Sequence, residues 1–202
     1  MISKKSRQQS SLREVLRAKR RQLTGFDRID KTHVLIKQIL RHHAYQTAKH
    51  IAFYAAFDGE VDIAPLLLHA YNNNKHCYLP VMPKFSGQRL RFAPYSPGVA
   101  EKLNRFGISE PVYRTGTVCS ASKLDLVLMP LVGFDTSGQR LGMGGGYYDR
   151  CFEFRRNRSH WKTPLLLGVA FECQKIDTLA SQPWDVAMDA CITEKKGYEF
   201  SY

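Results

Sequence analysis

The sequence predicts an α/β protein with a largely parallel sheet covered on both faces. Short apolar segments at 51–56, 124–130 and 165–171 read as buried strands, and stretches of helical spacing alternate with them. A glycine-rich stretch, 133–146, joins the second of these strands to a further helix. With 202 residues, against a prior of about 150 per domain, one domain over 1–202 is expected, with 1–10 as a flexible lead. Hydrophobic residues at 44% and charged ones at 24% exclude disordered, collagen-like and coiled-coil classes.

The elements follow in chain order. Ser11 with Glu14 three residues later forms a capping-box start, and Leu12, Val15, Leu16 and Leu23 recur at helical spacing, which predicts helix over 13–22. Val34, Leu35, Ile36, Ile39 and Leu40 outline a second helix before the strand at 51–56, which breaks at Asp58-Gly59. Asp62 is a natural N-cap, Pro65 suits the first turn of the next helix, and Asn72-Asn73-Asn74 stops it. Residues 76–82 read as a strand, and Arg89 to Phe92 alternate like one arm of a hairpin after Ser86-Gly87. The Pro-, Gly- and polar-rich text of 93–122 reads as loops over the core.

Charge and cysteine usage narrow the environment. Thirty Lys and Arg against 18 Asp and Glu leave a net charge of +12, which favours anionic partners: nucleic acid, headgroups, or phosphorylated and carboxylate-rich small molecules. Much of the excess lies near the start of the chain (Lys4, Lys5, Arg7, Arg13, Arg17, Lys19, Arg20, Arg21), where a solvated helix face is expected. The five cysteines contain no C-x-x-C pair, which disfavours a disulfide framework or thiolate zinc; reduced, mostly buried thiols are expected. No run approaches the ~18 apolar residues of a membrane helix, and no h-region follows the polar start, so a cytoplasmic location is expected.

The chemistry concentrates in the run from Leu131 to Arg150, which contains Gly138-Gln139-Arg140-Leu141-Gly142-Met143-Gly144-Gly145-Gly146-Tyr147-Tyr148-Asp149-Arg150. The run follows a buried strand and opens a helix, where open parallel sheets place their ligand crevice. Clustered glycines cost chain entropy, so they point to unusual dihedrals or close approach to a ligand; freed N–H groups beside Arg140 would cradle phosphate. The Walker and dinucleotide fingerprints both fail, because Tyr147 stands where each requires another residue. Asp149 could hold a hard cation bridging phosphate oxygens, or simply place favourable charge on the first helical turn.

A second constellation, Tyr54-Ala55-Ala56-Phe57-Asp58-Gly59-Glu60-Val61-Asp62, closes another strand. Glu60 there could bind heterocycle N–H groups or act as a base, with Tyr54 and Phe57 as aromatic surface. Trp184-Asp185 supplies a further carboxylate in a loop. His42-His43 are adjacent, no H-E-x-x-H exists, and no G-x-S-x-G element is present, so zinc and acyl-enzyme chemistry are disfavoured.

The glycine-rich run resembles the signature of the 5-formyltetrahydrofolate cyclo-ligase family, also called methenyltetrahydrofolate synthetase. Ser11-Leu12-Arg13, Asp58 to Asp62, Leu79-Pro80, Phe106 to Pro111, Pro130 to Asp135 and Trp184-Asp185 match in the same order, over about 11–193. The resemblance implies a three-layer α/β/α sandwich and an ATP- and Mg²⁺-dependent enzyme that closes 5-formyltetrahydrofolate to 5,10-methenyltetrahydrofolate, releasing ADP and phosphate. It implies Arg140, Tyr148 and Glu60 as catalytic residues. ATP would be held by Gln9, Arg13, Gly138, Gln139, Arg140, Leu141, Gly142, Met143, Gly144, Gly145, Gly146 and Tyr147. Tyr54, Ala55, Glu60 and Tyr148 would bind the folate, and Asp149 with Asp185 the magnesium. The family carries a lysine where Gln9 stands; Lys5 or Arg7 could substitute. Lys84, Arg89 and Arg91 are candidates for a glutamylated tail, while Met82, Phe85 and Phe92 receive no role. The expected partners are therefore small anionic molecules, with no nucleic acid and no membrane. The rival readings are a basic nucleic-acid binder and, on a similar sandwich, a sugar-phosphate isomerase or acyl-CoA transferase.

Overall fold

The computed structural model describes residues 4–83, 85, 87–114, 116–156 and 163–200, with side chains of the first helix from residue 7 onward. Helix α1 (Lys4–Arg21) leads into α2 (Gly25–Arg41) and the short α3 (His43–Thr47). Strand β1 (His50–Ala52), helix α4 (Ala64–Asn72) and strands β2 (His76–Val81) and β3 (Arg91–Pro94) follow. Next come β4 (Glu101–Leu103), β5 (Ser109–Pro111), β6 (Leu126–Pro130), β7 (Gly133–Phe134), β8 (Arg140–Leu141) and α5 (Tyr147–Phe152). Strands β9 (Leu165–Val169), β10 (Ala190–Ile192) and β11 (Gly197–Glu199) complete the chain.

Among the described residues, seven strands form one sheet in the order β11-β10-β9-β6-β1-β2-β3. The five inner strands run parallel and the two edges antiparallel, which is the mostly parallel α/β architecture the alternation predicts. The central strands β6, β9 and β10 are apolar on both sides because both faces are covered, whereas β2 alternates between buried and more exposed residues. Leu126 and Leu128 of β6 pack with Leu35, Ile39, Tyr45, Leu66 and Leu67 of α2, α3 and α4. Val127 and Met129 point the other way, into a cluster with Phe92, Cys151, Phe152 and Tyr198. No described helix is long and apolar enough to cross a membrane.

Strand order fixes where the site must be. From β1 the chain crosses by α4 to β2 on one side; from β6 it crosses by α5 to β9 on the other. The connections diverge between β1 and β6, so the loops after these neighbouring strands leave a crevice at their carboxyl ends. Those loops are the two constellations of the sequence.

Several boundaries differ from expectation. Helix α1 begins at Lys4, so residues 4–10, expected to be a flexible lead, are helical and the Ser11–Glu14 pair lies inside the helix. Tertiary packing overrides the local start signal: Leu12 and Leu16 seal a cluster with Val132, Leu141, Ile176 and Leu179. Helix α2 starts earlier than its apolar pattern, at Gly25, where Thr24 accepts the Asp27 N–H. His42 lies between helices and accepts the Ala44 N–H, which gives α3 a start the sequence reading lacks. Strand β1 ends at Ala52, although the Phe53 N–H still donates to Tyr78 at 2.8 Å. Ile63 occupies the N-cap position of α4, with Asp62 Oδ1 accepting the Ala64 N–H at 3.0 Å. Within 93–122, read as loops, β4 and β5 pair as a small antiparallel ribbon. All five cysteines are free thiols; Cys77, Cys151 and Cys191 are buried, Cys119 and Cys173 partly so.

Candidate active site

The side of the crevice after β6 is built mainly from backbone. Strands β7 and β8 pair antiparallel, and buried Asp135 staples their turn. Its Oδ1 accepts Ser137 N–H, Ser137 O–H and Gln139 N–H at 2.9, 2.7 and 3.1 Å, while Oδ2 accepts Leu179 N–H at 2.8 Å. Gly138 has φ +80° and its carbonyl accepts the Met188 N–H. The structure thus places Gly138 and Gln139 in the hairpin turn, and Leu141 in the buried cluster under α1.

Arg140 leaves this hairpin toward the crevice. Its Nη2 donates to Asp149 Oδ1 at 2.7 Å, and its Nη1 donates to the Val186 carbonyl. Asp149 Oδ1 also accepts the Val186 N–H at 3.2 Å. The pair is largely shielded, with side-chain exposures of 6% and 20%, so each charge depends on the other.

From α1, Arg13 Nε donates to the Gly142 carbonyl at 2.8 Å, and its guanidinium lies beside Gly144. Burial lowers the pKa of Arg13, and the charge of the Asp185 carboxylate works against it. Asp185 Oδ2 accepts the Gln182 N–H at 2.8 Å. Met143, Gly144 and Gly145 are exposed. Gly146 is left-handed at φ +60°, and a Cβ on Gly145 would stand 2.5 Å from the Tyr147 ring. Arg150 donates to the Gly145 carbonyl at 2.8 Å and lies over the Tyr147 ring. Helix α5 is six residues long, so an anion here would depend on loop N–H groups rather than on a macrodipole. A cleft of about 350 Å³ opens here between Gly144, Gly145, Gly146, Asp149 and Trp184, within the usual range of small-molecule sites. Gln9 stands one helical turn before Arg13 and donates to the Ala180 carbonyl at 3.2 Å.

The side after β1 is made of enclosed side chains. Asp58 (φ +53°) and Gly59 (φ +78°) turn the chain sharply, and Glu60 folds back so that Oε2 accepts the Phe57 N–H at 3.1 Å. Tyr54 is buried and donates to the Val61 carbonyl at 2.9 Å; Ala55 follows it, partly buried. Burial pushes the Glu60 carboxyl up to about 7, with the Arg20 charge and the Phe57 N–H pulling it back. Burial first, and then the Glu60 charge, raise the hydroxyls of Tyr54 and Tyr148 well above the ordinary tyrosine value. Tyr148 also feels Arg140, so Tyr54, Glu60, Tyr148 and Arg140 meet in one neighbourhood across the crevice.

Arg20 and Asp58 were not predicted here. Arg20, expected on a solvated face, is fully buried. Asp58 accepts from Arg17 Nε at 2.6 Å, Arg20 Nη2 at 3.2 Å and Arg21 Nε at 2.6 Å. Burial opposes ionisation of Asp58, but the hydrogen bonds from Arg17 and Arg21 outweigh it and hold the carboxyl below its ordinary value. Three cations of the basic helix are therefore paired with one carboxylate: Arg20 inside the protein, Arg17 partly shielded and Arg21 at the surface. The only sequence signal was the Asp-Gly turn; its arginines lie 37 to 41 positions away.

Of the tail candidates, Arg89 pairs with Glu153, Arg91 is exposed and Lys84 lies outside the described residues. Phe92 is a core residue, Met82 donates its N–H to buried Glu110 at 2.8 Å, and Phe85 is exposed. Among the described residues no three His, Cys, Asp or Glu side chains gather as a metal site. Asp149 on the cleft wall and Asp185 beside Trp184 nevertheless fit a hard cation that arrives with phosphate, since Mg²⁺ takes one or two carboxylates plus substrate oxygens and water.

The model of the 5-formyltetrahydrofolate cyclo-ligase family matches residues 5–194. The chain belongs to this family. A 5-formyltetrahydrofolate cyclo-ligase of Haemophilus influenzae is 35% identical over 183 residues, covering 91% of this chain and 96% of the relative. That of Escherichia coli is 36% identical over 186 residues, covering 92% and 100%. The NMR structure of Aquifex aeolicus 5,10-methenyltetrahydrofolate synthetase superposes with a TM-score of 0.79 at 30% identity, over 96% of this chain and 93% of that one. The synthetase of Mycoplasma pneumoniae, at 24% identity and a TM-score of 0.70, shares the fold. Membership makes this cyclo-ligase homologue an enzyme of the ligase class, on the α/β sandwich its sequence predicts.

Proposed function

We propose that this cyclo-ligase family member closes 5-formyltetrahydrofolate to 5,10-methenyltetrahydrofolate with conversion of ATP to ADP and phosphate. One observation carries the reading: the glycine cradle with Arg140 and Asp149 faces the enclosed Glu60, Tyr54 and Tyr148 across the β1–β6 crevice. A polyphosphate on the first side and a flat heterocycle on the second would bring a terminal phosphoryl group to a formyl oxygen.

The chemistry needs such a meeting. A formamide oxygen is a poor leaving group. Its attack on the γ-phosphorus expels ADP and gives an iminium phosphate at nitrogen 5. Nitrogen 10 then adds to the activated carbon, loses its proton, and phosphate departs with the original formyl oxygen. Catalysis of this kind rests on positioning and charge neutralisation. Loop N–H groups of Gly142, Met143, Gly144, Gly145, Gly146 and Tyr147 would bind the phosphate chain, with Arg13 beside it. Arg140 would turn from Asp149 and Val186 toward the γ-phosphate. Glu60, as a carboxylate, would accept pterin N–H groups, and Tyr54, Ala55 and Tyr148 would pack on the ring. Asp149 and Asp185 would hold Mg²⁺, which when bound neutralises charge on the phosphate oxygens.

The burial of Arg20, and the ion pairing of Arg17, Arg20 and Arg21 on Asp58, weaken the support that the basic first helix lends to nucleic-acid binding. The deciding experiment follows methenyl absorbance from 5-formyltetrahydrofolate in the presence and absence of ATP and Mg²⁺. The expected result is a rise that requires the nucleotide; no rise, or one independent of ATP, overturns the reading.

A further inference from the structure

Arg20 is an expensive residue to keep. Its side chain is 1% exposed, and its Nε has no partner among the described residues. Burying a guanidinium with one donor unsatisfied opposes stability, so its retention calls for a use that packing does not supply. Its contacts show one. Nη1 donates to the Leu131 carbonyl at 3.2 Å, where β6 gives way to the glycine-rich stretch. Nη2 donates to the Asp58 carbonyl at 2.9 Å and to Asp58 Oδ2 at 3.2 Å, in the loop that carries Glu60. Nη1 also lies 3.9 Å from Glu60 Oε1. One guanidinium therefore grips both loops of the crevice and faces the carboxylate between them.

We infer that Arg20 is the positioning residue of the site: it brackets the two crevice loops and holds Glu60 in place as an anion, while Asp58 sets how much of the Arg20 charge reaches Glu60. The inference rests on the cyclo-ligase reading, in which Glu60 works as a carboxylate toward the folate. The arrangement has a direction. Around Glu60 stand Arg17 and Arg20 from α1, Asp58 from its own loop, Tyr54 after β1 and Tyr148 from α5. Arg20 favours the anion and Asp58 opposes it, so removing either charge must move the Glu60 titration in opposite senses.

The test is the acid limb of kcat/KM for 5-formyltetrahydrofolate in Arg20→Gln, Arg20→Lys and Asp58→Asn, together with carbon-13 NMR titration of the Glu60 carboxyl without ligand, assigned through Glu60→Gln. In Arg20→Gln the limb and the NMR midpoint should move alkaline by at least about one pH unit, lowering activity near pH 7 by about fivefold or more and restoring much of it by pH 9. Arg20→Lys should bring the limb back toward wild type, and Asp58→Asn should move it toward acid. A purely structural arginine would lower activity at every pH and leave the limb still. An unmoved midpoint in a folded Arg20→Gln protein, or an alkaline shift in Asp58→Asn, overturns the inference. If Arg20→Gln does not fold, Asp58→Asn decides by the same measurements. Since the NMR midpoint needs no turnover, an inactive protein whose midpoints move as expected would break the functional reading alone.

Discussion

The two walls of the crevice handle charge in opposite ways. After β6 the chain offers exposed backbone, left-handed glycines and one arginine–aspartate pair, an open wall that the proposed function assigns to phosphate. After β1 it offers Glu60 with 11% side-chain exposure, flanked by two tyrosines and answered by the buried Arg20. The contrast teaches that one wall should be sensitive to geometry and to loss of cationic charge, and the other to protons. Substitutions on the β6 side should alter rate and nucleotide KM with little change in pH profile; those on the β1 side should change the profile itself.

The largest effect is expected from Arg140→Ala. Removing one preorganised donor to a transferring phosphoryl group costs about 10²–10³ in rate, and here it also leaves Asp149 without its main partner. Steady-state kinetics should show kcat/KM lower by that factor, with circular dichroism confirming a folded protein. Near-normal turnover in the folded variant would erase the assignment of the β6 wall to phosphate.

Glu60→Gln comes next and probes the opposite wall. In wild type, kcat/KM should rise with pH through about 7, as Glu60 loses its proton. In the variant that limb should disappear, with activity about 10–100-fold lower above it. Stability must move the other way. Because burial holds the folded carboxyl above its ordinary value of 4.5, the Glu60 contribution is fully present below 4.5 and is lost as pH rises through about 7. The loss is on the order of 3 kcal/mol at most. Denaturant midpoints should show the Glu60→Gln protein gaining on wild type between pH 5 and pH 8; parallel curves would mean that Glu60 is not enclosed as described.

Gly145→Ala asks whether the cradle works by shape. The added Cβ would fall 2.5 Å from the Tyr147 ring, so ring or loop must move. Displacement of a phosphate-binding loop should raise the KM for ATP about tenfold or more, while folate binding measured without nucleotide stays within about twofold. A loss shared equally by both ligands would show that the two walls are one unit rather than two.

These contrasts also show what could be read in the sequence. Strand β6 and the glycine cradle were legible because their signals are local: an apolar run between Asp125 and Asp135, then glycines that only an unusual backbone explains. The same holds for α4, with Pro65 in its first turn and asparagines at its end. The start of α1 was not legible, because packing of Leu12 and Leu16 decides it from Val132, Leu141 and Leu179, more than a hundred residues away. The role of Asp135 was hidden likewise, since one of its partners is the Leu179 N–H. Arg20 was misread because a basic helix face looks solvated until a buried aspartate is seen opposite it. The middle ribbon was missed because β4 and β5 have three residues each and no clean alternation.

The smallest expected effect concerns Gln9, where the resemblance leads one to expect a lysine. Gln9 lies one helical turn before Arg13, and Arg13 reaches the cradle at Gly142 and Gly144. A lysine at position 9 would add an ammonium on the Arg13 face of α1 and give up one hydrogen bond to the Ala180 carbonyl. A partly exposed charge acting on a phosphate is worth about 0.5–1 kcal/mol, so Gln9→Lys should lower the KM for ATP about two- to fivefold. It should leave kcat and the pH limb of Glu60 alone, since neither the γ-phosphate nor the β1 wall gains a contact. The gain must also fade as added salt shortens the Debye length from about 10 Å at 0.1 M to about 3 Å at 1 M. A KM that stays the same at low salt would place residue 9 outside the field of the nucleotide and confine recognition on the β6 wall to Arg13, Arg140 and the glycine backbone.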